Sequence, residues 1–247
     1  MTSENAFSPA FARSAFLETV GGGEILRRLD AGLGAREPFL LLTGEPGAGK
    51  TTLVHEAIAR WDSRVTAAFL GYPALTAREL LEEIVLRFGG EPADGASRPR
   101  LMACLERALT DIAGRGQTAM IVVDAAHRLP QESLDELHLL VNAVRQARLP
   151  LEVLLMGSPE LEALIESPAL AALRERLSVG AKLEPLSPGE TRRYLRHRVS
   201  VIGEDGAALF PRKVCLEIAA LTGGVPRRIN TLAGEALRIA REAGERT

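Results

Sequence analysis

The chain has 247 residues, with 30 basic and 32 acidic side chains, 46% apolar residues and only 4% aromatics. That balance supports a real core, one main domain plus a smaller one, and excludes disordered, collagen-like and coiled-coil-only chains. Two cysteines, Cys104 and Cys215, cannot build a disulfide framework, so a reducing compartment is expected. The first twenty residues lack the basic start and apolar run of a signal peptide, and no apolar stretch is long enough to predict a membrane span.

In chain order, Phe7, Phe11, Phe16 and Leu17 predict an irregular arm or short helix that covers an apolar surface. Gly21, Gly22 and Gly23 predict a flexible break, after which Ile25, Leu26, Leu29 and Leu33 recur at helical spacing up to Gly34. Residues 38–43 are a short apolar run without alternation, the pattern of a buried parallel strand. A helix is expected from Lys50 to about Arg60, and a second strand over 65–70. Thr76 and Glu79 form a capping box that opens a helix through Leu80, Ile84, Val85 and Phe88. Residues 89–99 read as a surface loop and 100–114 as an amphipathic helix.

Residues 118–124 predict a third buried strand. Ser133, with Glu136 three residues on, predicts a capped helix reaching about Arg148. Residues 151–156 are a fourth strand, and Ser158 with Pro159 caps and starts a short helix. Strands alternating with helices imply a parallel sheet covered on both faces. From about Leu186 the character changes. Ser187, Pro188 and Glu190 open the first of three helices, at about 188–202, 211–221 and 226–243, with a break at Gly223 and Gly224. This tail has eleven basic and seven acidic residues, a net of +4 that leaves −6 on the rest of the chain.

The residues with chemistry begin at Gly44. Gly44, Glu45, Pro46, Gly47, Ala48, Gly49, Lys50 and Thr51 fit G-x-x-x-x-G-K-[ST], between a predicted strand and a predicted helix. Small residues let backbone N–H groups curl around phosphate oxygens, and the following helix presents its positive end to the same charge. Lys50 reaches the β- and γ-phosphates and Thr51 can hold Mg²⁺; with Thr52 these residues make the expected nucleotide-binding set. Asp124 ends the third strand, where a carboxylate can hold Mg²⁺ directly or through water. His55, His127, His138 and His197 show no metal-ligand spacing, and no nucleophile elbow is present.

These residues carry a resemblance. The chain resembles the AAA+ ATPases, in particular compact bacterial general-secretion ATPases of the ExeA/GspA type, a group similar to ATPase subunits of transposition systems. Residues 156–161, 176–179, 186–190 and 223–230 match that group in order. The resemblance implies a three-layer P-loop NTPase core over residues 1–186 and a small all-helical lid over 187–247. It implies that Asp124 is the Walker B aspartate and that Ser158 lies in the sensor-1 region facing the γ-phosphate. It likewise implies that Arg176 acts on nucleotide bound by a neighbouring subunit and that Arg227 is the sensor-2 arginine of the lid. Arginine suits both roles because its planar fork gives charge-assisted bonds to phosphate.

One departure stands out. The family usually has a glutamate after this aspartate, and here Ala125 occupies that position, followed by Ala126 and His127. Alanine cannot polarise water, so ATP and Mg²⁺ are expected to bind while hydrolysis is weak or lost. The resemblance implies a cytoplasmic, homo-oligomeric subunit whose assembly depends on ATP. Such a subunit would serve assembly or remodelling in a secretion or envelope system and reach the inner membrane only through a partner. A DNA-associated regulator, with Arg192, Arg193, Arg196 and Arg198 meeting the phosphate backbone, and a non-hydrolysing adaptor are the alternatives.

Overall fold

The computed structural model describes residues 6–7, 16–71 and 75–243, so Phe11 of the expected arm lies outside the described residues. Strands β1 (Phe39–Gly44), β2 (Val65–Leu70), β3 (Thr118–Val123), β4 (Leu151–Gly157) and β5 (Leu177–Leu183) form one sheet in the order β2-β3-β4-β1-β5. The β2–β3, β3–β4 and β1–β4 pairings are parallel. Helices α1 (Val20–Ala35), α2 (Lys50–Trp61), α3 (Ala77–Arg87), α4 (Arg98–Gly114), α5 (Gln131–Gln146), α6 (Glu160–Ile165) and α7 (Ala171–Arg174) precede or separate the strands. Helices α8 (Pro188–Ser200), α9 (Gly206–Leu209), α10 (Arg212–Thr222) and α11 (Pro226–Glu242) follow the last one. The fold is thus the expected α/β P-loop-like core with a parallel sheet and a helical lid region.

Two compact units make up the chain. The larger comprises Ile25–Thr43 and Ala57–Lys182; the smaller comprises the described parts of Met1–Glu24, Gly44–Glu56 and Leu183–Thr247.

In the larger unit, alternate residues of the central strands face opposite ways, and both sets are buried. Ile121 and Val153 on one face join Leu80, Ile84, Leu105 and Leu137 of α3, α4 and α5 in one core. Leu40, Val122 and Leu154 on the other alternation are buried as well. This two-sided burial is why β1, β3 and β4 read as continuous apolar runs. Because the strands are parallel, their C-terminal ends share one edge: Thr43 is level with Gly157, and Val123 with Leu155. The capping box of α3 forms as expected, with Thr76 N–H donating to Glu79 at 2.8 Å.

Three local expectations are corrected. Gly21, Gly22 and Gly23 lie inside α1, whose first turn is capped by Thr19: Gly22 N–H donates to Thr19 Oγ1 at 3.0 Å. The cap and the buried Leu26 and Leu29 further along outweigh poor glycine propensity. Ser133 does not cap α5. Its hydroxyl donates to the Leu75 carbonyl at 2.7 Å, and Glu136 pairs with Arg98 at 2.9 Å. The strand β5 was not expected at all.

Glu152 is 1% exposed in the middle of β4, and both its carboxylate oxygens lack a hydrogen-bond partner. Burial pushes its carboxyl up to about 8, against the opposing pull of Arg145 and Arg36. It is therefore protonated and neutral at pH 7 in the folded chain. The raised folded value gives stability that is complete below the unfolded value of about 4.5 and declines as pH rises towards about 8, at ~1.4 kcal/mol per pH unit. Glu152→Gln, neutral at every pH, is expected to flatten that decline and to be the more stable form above pH 8. Thermal melts of both proteins from pH 6 to 9 check this; parallel pH profiles would contradict it.

In the smaller unit, the helical region has its own core, built from Leu195 and Val199 of α8, Phe210, Cys215 and Ile218 of α10, and Ile229, Ala233 and Leu237 of α11. Ala6 and Phe7 complete it, so the aromatic arm does cover an apolar surface. The Phe7 and Phe210 rings meet edge to face at 5.8 Å, and the Arg198 guanidinium lies 5.9 Å from the Phe7 ring centre. Such contacts add on the order of 1 kcal/mol each beyond area burial. Ser187 and Glu190 form the predicted capping box at the start of α8.

Gly224 joins the ends of this region. Leu186 N–H donates to the Gly224 carbonyl at 2.9 Å, and a Cβ on Gly224 would lie 2.0 Å from the Leu186 carbonyl oxygen, at a φ of +73°. Gly224→Ala is expected to destabilise by about 3 kcal/mol or more, the sum of overpacking and left-handed strain. Gly223, at φ +60° with open space around its Cβ position, should cost only about 1 kcal/mol on the same change. Denaturant unfolding of the two variants side by side checks this contrast.

Candidate functional site

The glycine-rich loop lies in the smaller unit. Leu53 N–H donates to the Gly49 carbonyl at 2.9 Å, closing the first turn of α2, so the positive end of this 12-residue helix opens on the loop. Lys50 is the first helical residue. Its ammonium donates to the loop's own carbonyls, Gly44 at 2.7 Å and Glu45 at 3.1 Å, which fixes the charge over the loop. Thr51 and Thr52 follow on the same first turn, and Thr51 is exposed.

The lid region meets this loop within the same unit. Arg227, in the first turn of α11, donates its backbone N–H to the Gly47 carbonyl at 3.2 Å. Gly47 has φ +88°, and a Cβ there would lie 2.7 Å from Arg227 Cβ and 3.4 Å from its Nε. The bare backbone of Gly47 is what lets the arginine stem lie against the loop. Arg227 and Arg228 are both exposed, and the contacts to Gly47 are made by Arg227.

A second set of candidate residues lies in the larger unit, at the C-terminal edge of the sheet. Asp124 follows β3 directly. Its N–H extends the ladder to the Leu70 carbonyl at 3.0 Å, and its Oδ1 accepts from Ala125 N–H at 2.8 Å. Ala125 takes the left-handed conformation (φ 53°, ψ 39°), turning the chain into a short helical turn over Ala126–Arg128. Ser158 follows β4 and is 6% exposed; its hydroxyl has no partner, so it does not cap α6 by a side-chain bond as the sequence suggested. Ser158 N–H donates instead to His127 Nδ1 at 3.5 Å, which ties the ends of β3 and β4 together.

Sequence reasoning missed a further polar contact at this edge. Thr43, 1% exposed at the end of β1, donates its hydroxyl to Glu162 of α6. A threonine ending an apolar strand gives no hint of a partner more than a hundred residues away. Arg176 is exposed on the turn between α7 and β5. Of the arginines on α8, Arg192 and Arg193 are exposed, Arg196 is half-buried, and Arg198 is 3% exposed beneath the Phe7 ring. Arg198 is therefore a lid-core residue and no surface contact.

The donor chemistry fits a magnesium–nucleotide complex. The loop offers an ammonium, a helix N-terminus and glycines whose backbone can approach a phosphate, and Thr51 beside them offers a hard oxygen of the kind Mg²⁺ prefers; in the larger unit the Asp124 carboxylate is another oxygen donor of that kind.

Comparison with known proteins agrees. The profile of the AAA domain family matches residues 34–165. General secretion pathway protein A of Aeromonas hydrophila is 34% identical over 217 residues, which cover 87% of this chain and 39% of that protein. The chain thus spans about two fifths of that relative's length. Among solved structures, Cdc6p from Pyrobaculum aerophilum is similar with a TM-score of 0.73 at 17% identity, covering 97% of this chain and 66% of that one. The Aeropyrum pernix ORC2 protein, solved as ADPNP–ADP complexes, has a TM-score of 0.69 at 17% identity, covering 99% of this chain and 68% of that one. At these identities the two structures establish a shared fold.

Proposed function

The chain belongs to the AAA domain family and is related to secretion-pathway ATPases of the GspA/ExeA type, and from that membership we propose that it binds ATP with Mg²⁺ and uses it to control assembly more than to drive turnover. The observation that carries the reading is the contact of Arg227 with Gly47 in the phosphate loop, beside a lysine already held over that loop. It brings Arg227 of α11 and Lys50 to the same loop, which supports a sensor role for the arginine and a phosphate-binding role for the lysine.

In this reading residues 1–186 are the nucleotide-binding core and 187–247 the lid. Gly44 to Thr52 cradle the phosphates, with Lys50 bonding the β- and γ-phosphate oxygens. Thr51 and Asp124 hold the metal, which when bound supplies positive charge to the phosphate oxygens. Ser158 lies on the γ-phosphate side, Arg227 donates from the lid, and Arg176 serves the nucleotide of a neighbouring copy. The position that would hold the water-polarising carboxylate is Ala125, which supports weak or absent hydrolysis.

The relative's name supports a secretion system as the setting; in this reading the chain is an oligomeric assembly or remodelling subunit of a secretion or envelope system, cytoplasmic and reaching the membrane through a partner. Among the described residues no helix is long and apolar enough to cross a membrane. A DNA-associated regulator is the second reading, supported by exposed Arg192 and Arg193 on α8. Size analysis coupled to phosphate release, with and without ATP, Mg²⁺ and DNA, separates these readings. ATP-dependent assembly with little phosphate release is expected. Fast release with no change in size would contradict the proposal, and a shift requiring DNA, lost on neutralising Arg192 and Arg193, would favour the second reading.

A further inference from the structure

Within the smaller unit, the N-terminal arm connects to the phosphate loop through the lid core. Phe7 is buried and shares one apolar core with Leu195 and Val199 of α8 and Ile229 of α11. Its ring covers the Arg198 guanidinium at 5.9 Å, on an arginine that is itself buried, so an aromatic face replaces part of the water this cation has lost. One helical turn before Arg198, Tyr194 donates its hydroxyl to Asn230 Oδ1 of α11 at 2.8 Å. Ile229 and Asn230 follow Arg227 within the first turns of α11, and the Arg227 N–H donates to the Gly47 carbonyl at 3.2 Å. The start of α11 has no side-chain cap of its own, since Val225 is the capping residue. Its position therefore depends on the core behind it, which Phe7 completes.

We propose that Phe7 is a positioning residue for Arg227: seated in the lid core, the N-terminal arm holds α8 against α11 and so keeps the arginine on Gly47 of the phosphate loop. This rests on the nucleotide-binding reading above and adds to it a residue some forty positions before that loop. The arginine is anchored by its main chain, and its side chain stays exposed for a ligand. Loosening the arm therefore moves the whole first turn of α11, and a donor displaced by a fraction of a bond length loses most of its hold on a phosphate oxygen. Phe7 itself touches no nucleotide in this arrangement. It acts only through Arg227.

Two measurements on the full chain test this. The first is hydrogen exchange without nucleotide, read at the Arg227 amide. Phe7→Ala is expected to speed that exchange about tenfold while amides of β3 keep their wild-type rates, the pattern of a local opening. Unchanged exchange at Arg227, or equal acceleration in β3, would overturn the inference. The second is a double-mutant cycle on affinity for a non-hydrolysable ATP analogue with Mg²⁺. Arg227→Ala is expected to weaken binding about tenfold, the scale of one charge-assisted hydrogen bond, and Phe7→Ala about fivefold. In the Arg227→Ala background, Phe7→Ala should change affinity by less than about twofold, because the residue it acts through is gone. Equal losses in both backgrounds, the mark of a merely structural role, would overturn the inference while leaving nucleotide binding in place. If Phe7→Ala does not fold, Phe7→Leu, which keeps the apolar bulk and loses the ring contacts, carries both measurements with the same signs and an affinity loss of about threefold. A wild-type chain that takes up no nucleotide would overturn the binding reading and this inference with it.

Discussion

Lys50→Ala is expected to weaken ATP binding by about 100-fold or more, because in the proposed reading it removes at least two charge-assisted bonds to phosphate, ~1.5 kcal/mol or more each. The fold should survive. Lys50 is half-buried, and its ammonium bonds to carbonyls of its own loop, Gly44 at 2.7 Å and Glu45 at 3.1 Å, while the core under the sheet is built from apolar side chains. The checking measurement is the rise in melting temperature on adding ATP and Mg²⁺. Wild-type protein should show a concentration-dependent rise, since a ligand that binds only the folded state stabilises it by mass action. Lys50→Ala should show none over the same range and melt close to wild type without nucleotide. An undiminished rise in the variant would mean that the lysine does not hold phosphate.

Ala125→Glu is expected to act in the opposite direction and raise turnover. A positioned carboxylate that orients and polarises water is worth roughly 10²- to 10⁴-fold in rate. The backbone already favours the change. Ala125 sits at φ 53°, ψ 39°, so the left-handed cost is present with alanine and a longer side chain adds little to it. The Asp124 carboxylate is held by Ala125 N–H, a backbone bond that the substitution preserves. Phosphate release from purified wild type, Ala125→Glu and the double variant with Lys50→Ala measures this directly. Very slow release in wild type, at least about 100-fold faster release in Ala125→Glu, and loss in the double variant are expected. Robust release by wild type, abolished by Lys50→Ala, would refute the idea that the chain holds ATP without consuming it.

Much of the fold was legible because the parallel sheet is buried on both sides. That burial writes β1, β3 and β4 as unbroken apolar runs, and the capping boxes at Thr76 and Ser187 mark helix starts through local bonds alone. Where structure depends on distant partners, the reading failed. β5 lies at the sheet edge, and its sequence, LSVGAKL, carries a glycine and a lysine in place of a run. Ser133 had the right neighbour for a cap, but Leu75 takes its hydroxyl and Arg98 takes Glu136. Arg198 counted as one of a surface cluster, yet it lies between Leu195 and Val199 on the buried face of α8, under an arm residue nearly two hundred positions earlier.

The candidate site divides in the same way. The loop from Gly44 to Thr51 announces itself because phosphate binding needs those residue types at that spacing. Asp124 was legible from its place at the end of an apolar strand. The bond from Ser158 to His127 was not, since nothing in the spacing of residues 127 and 158 reveals that β3 and β4 are neighbours. The orphaned Ser158 hydroxyl was likewise hidden by a local pattern that suits a helix cap.

The account depends first on nucleotide uptake, and a calorimetric titration of the folded wild-type chain with ATP in the presence of Mg²⁺ tests it most directly. A saturable heat with one nucleotide per chain, weakened when Asp124 is replaced by alanine or when Mg²⁺ is chelated, is the expected result. A folded protein that gives no binding heat and no change in melting temperature at millimolar ATP would contradict it.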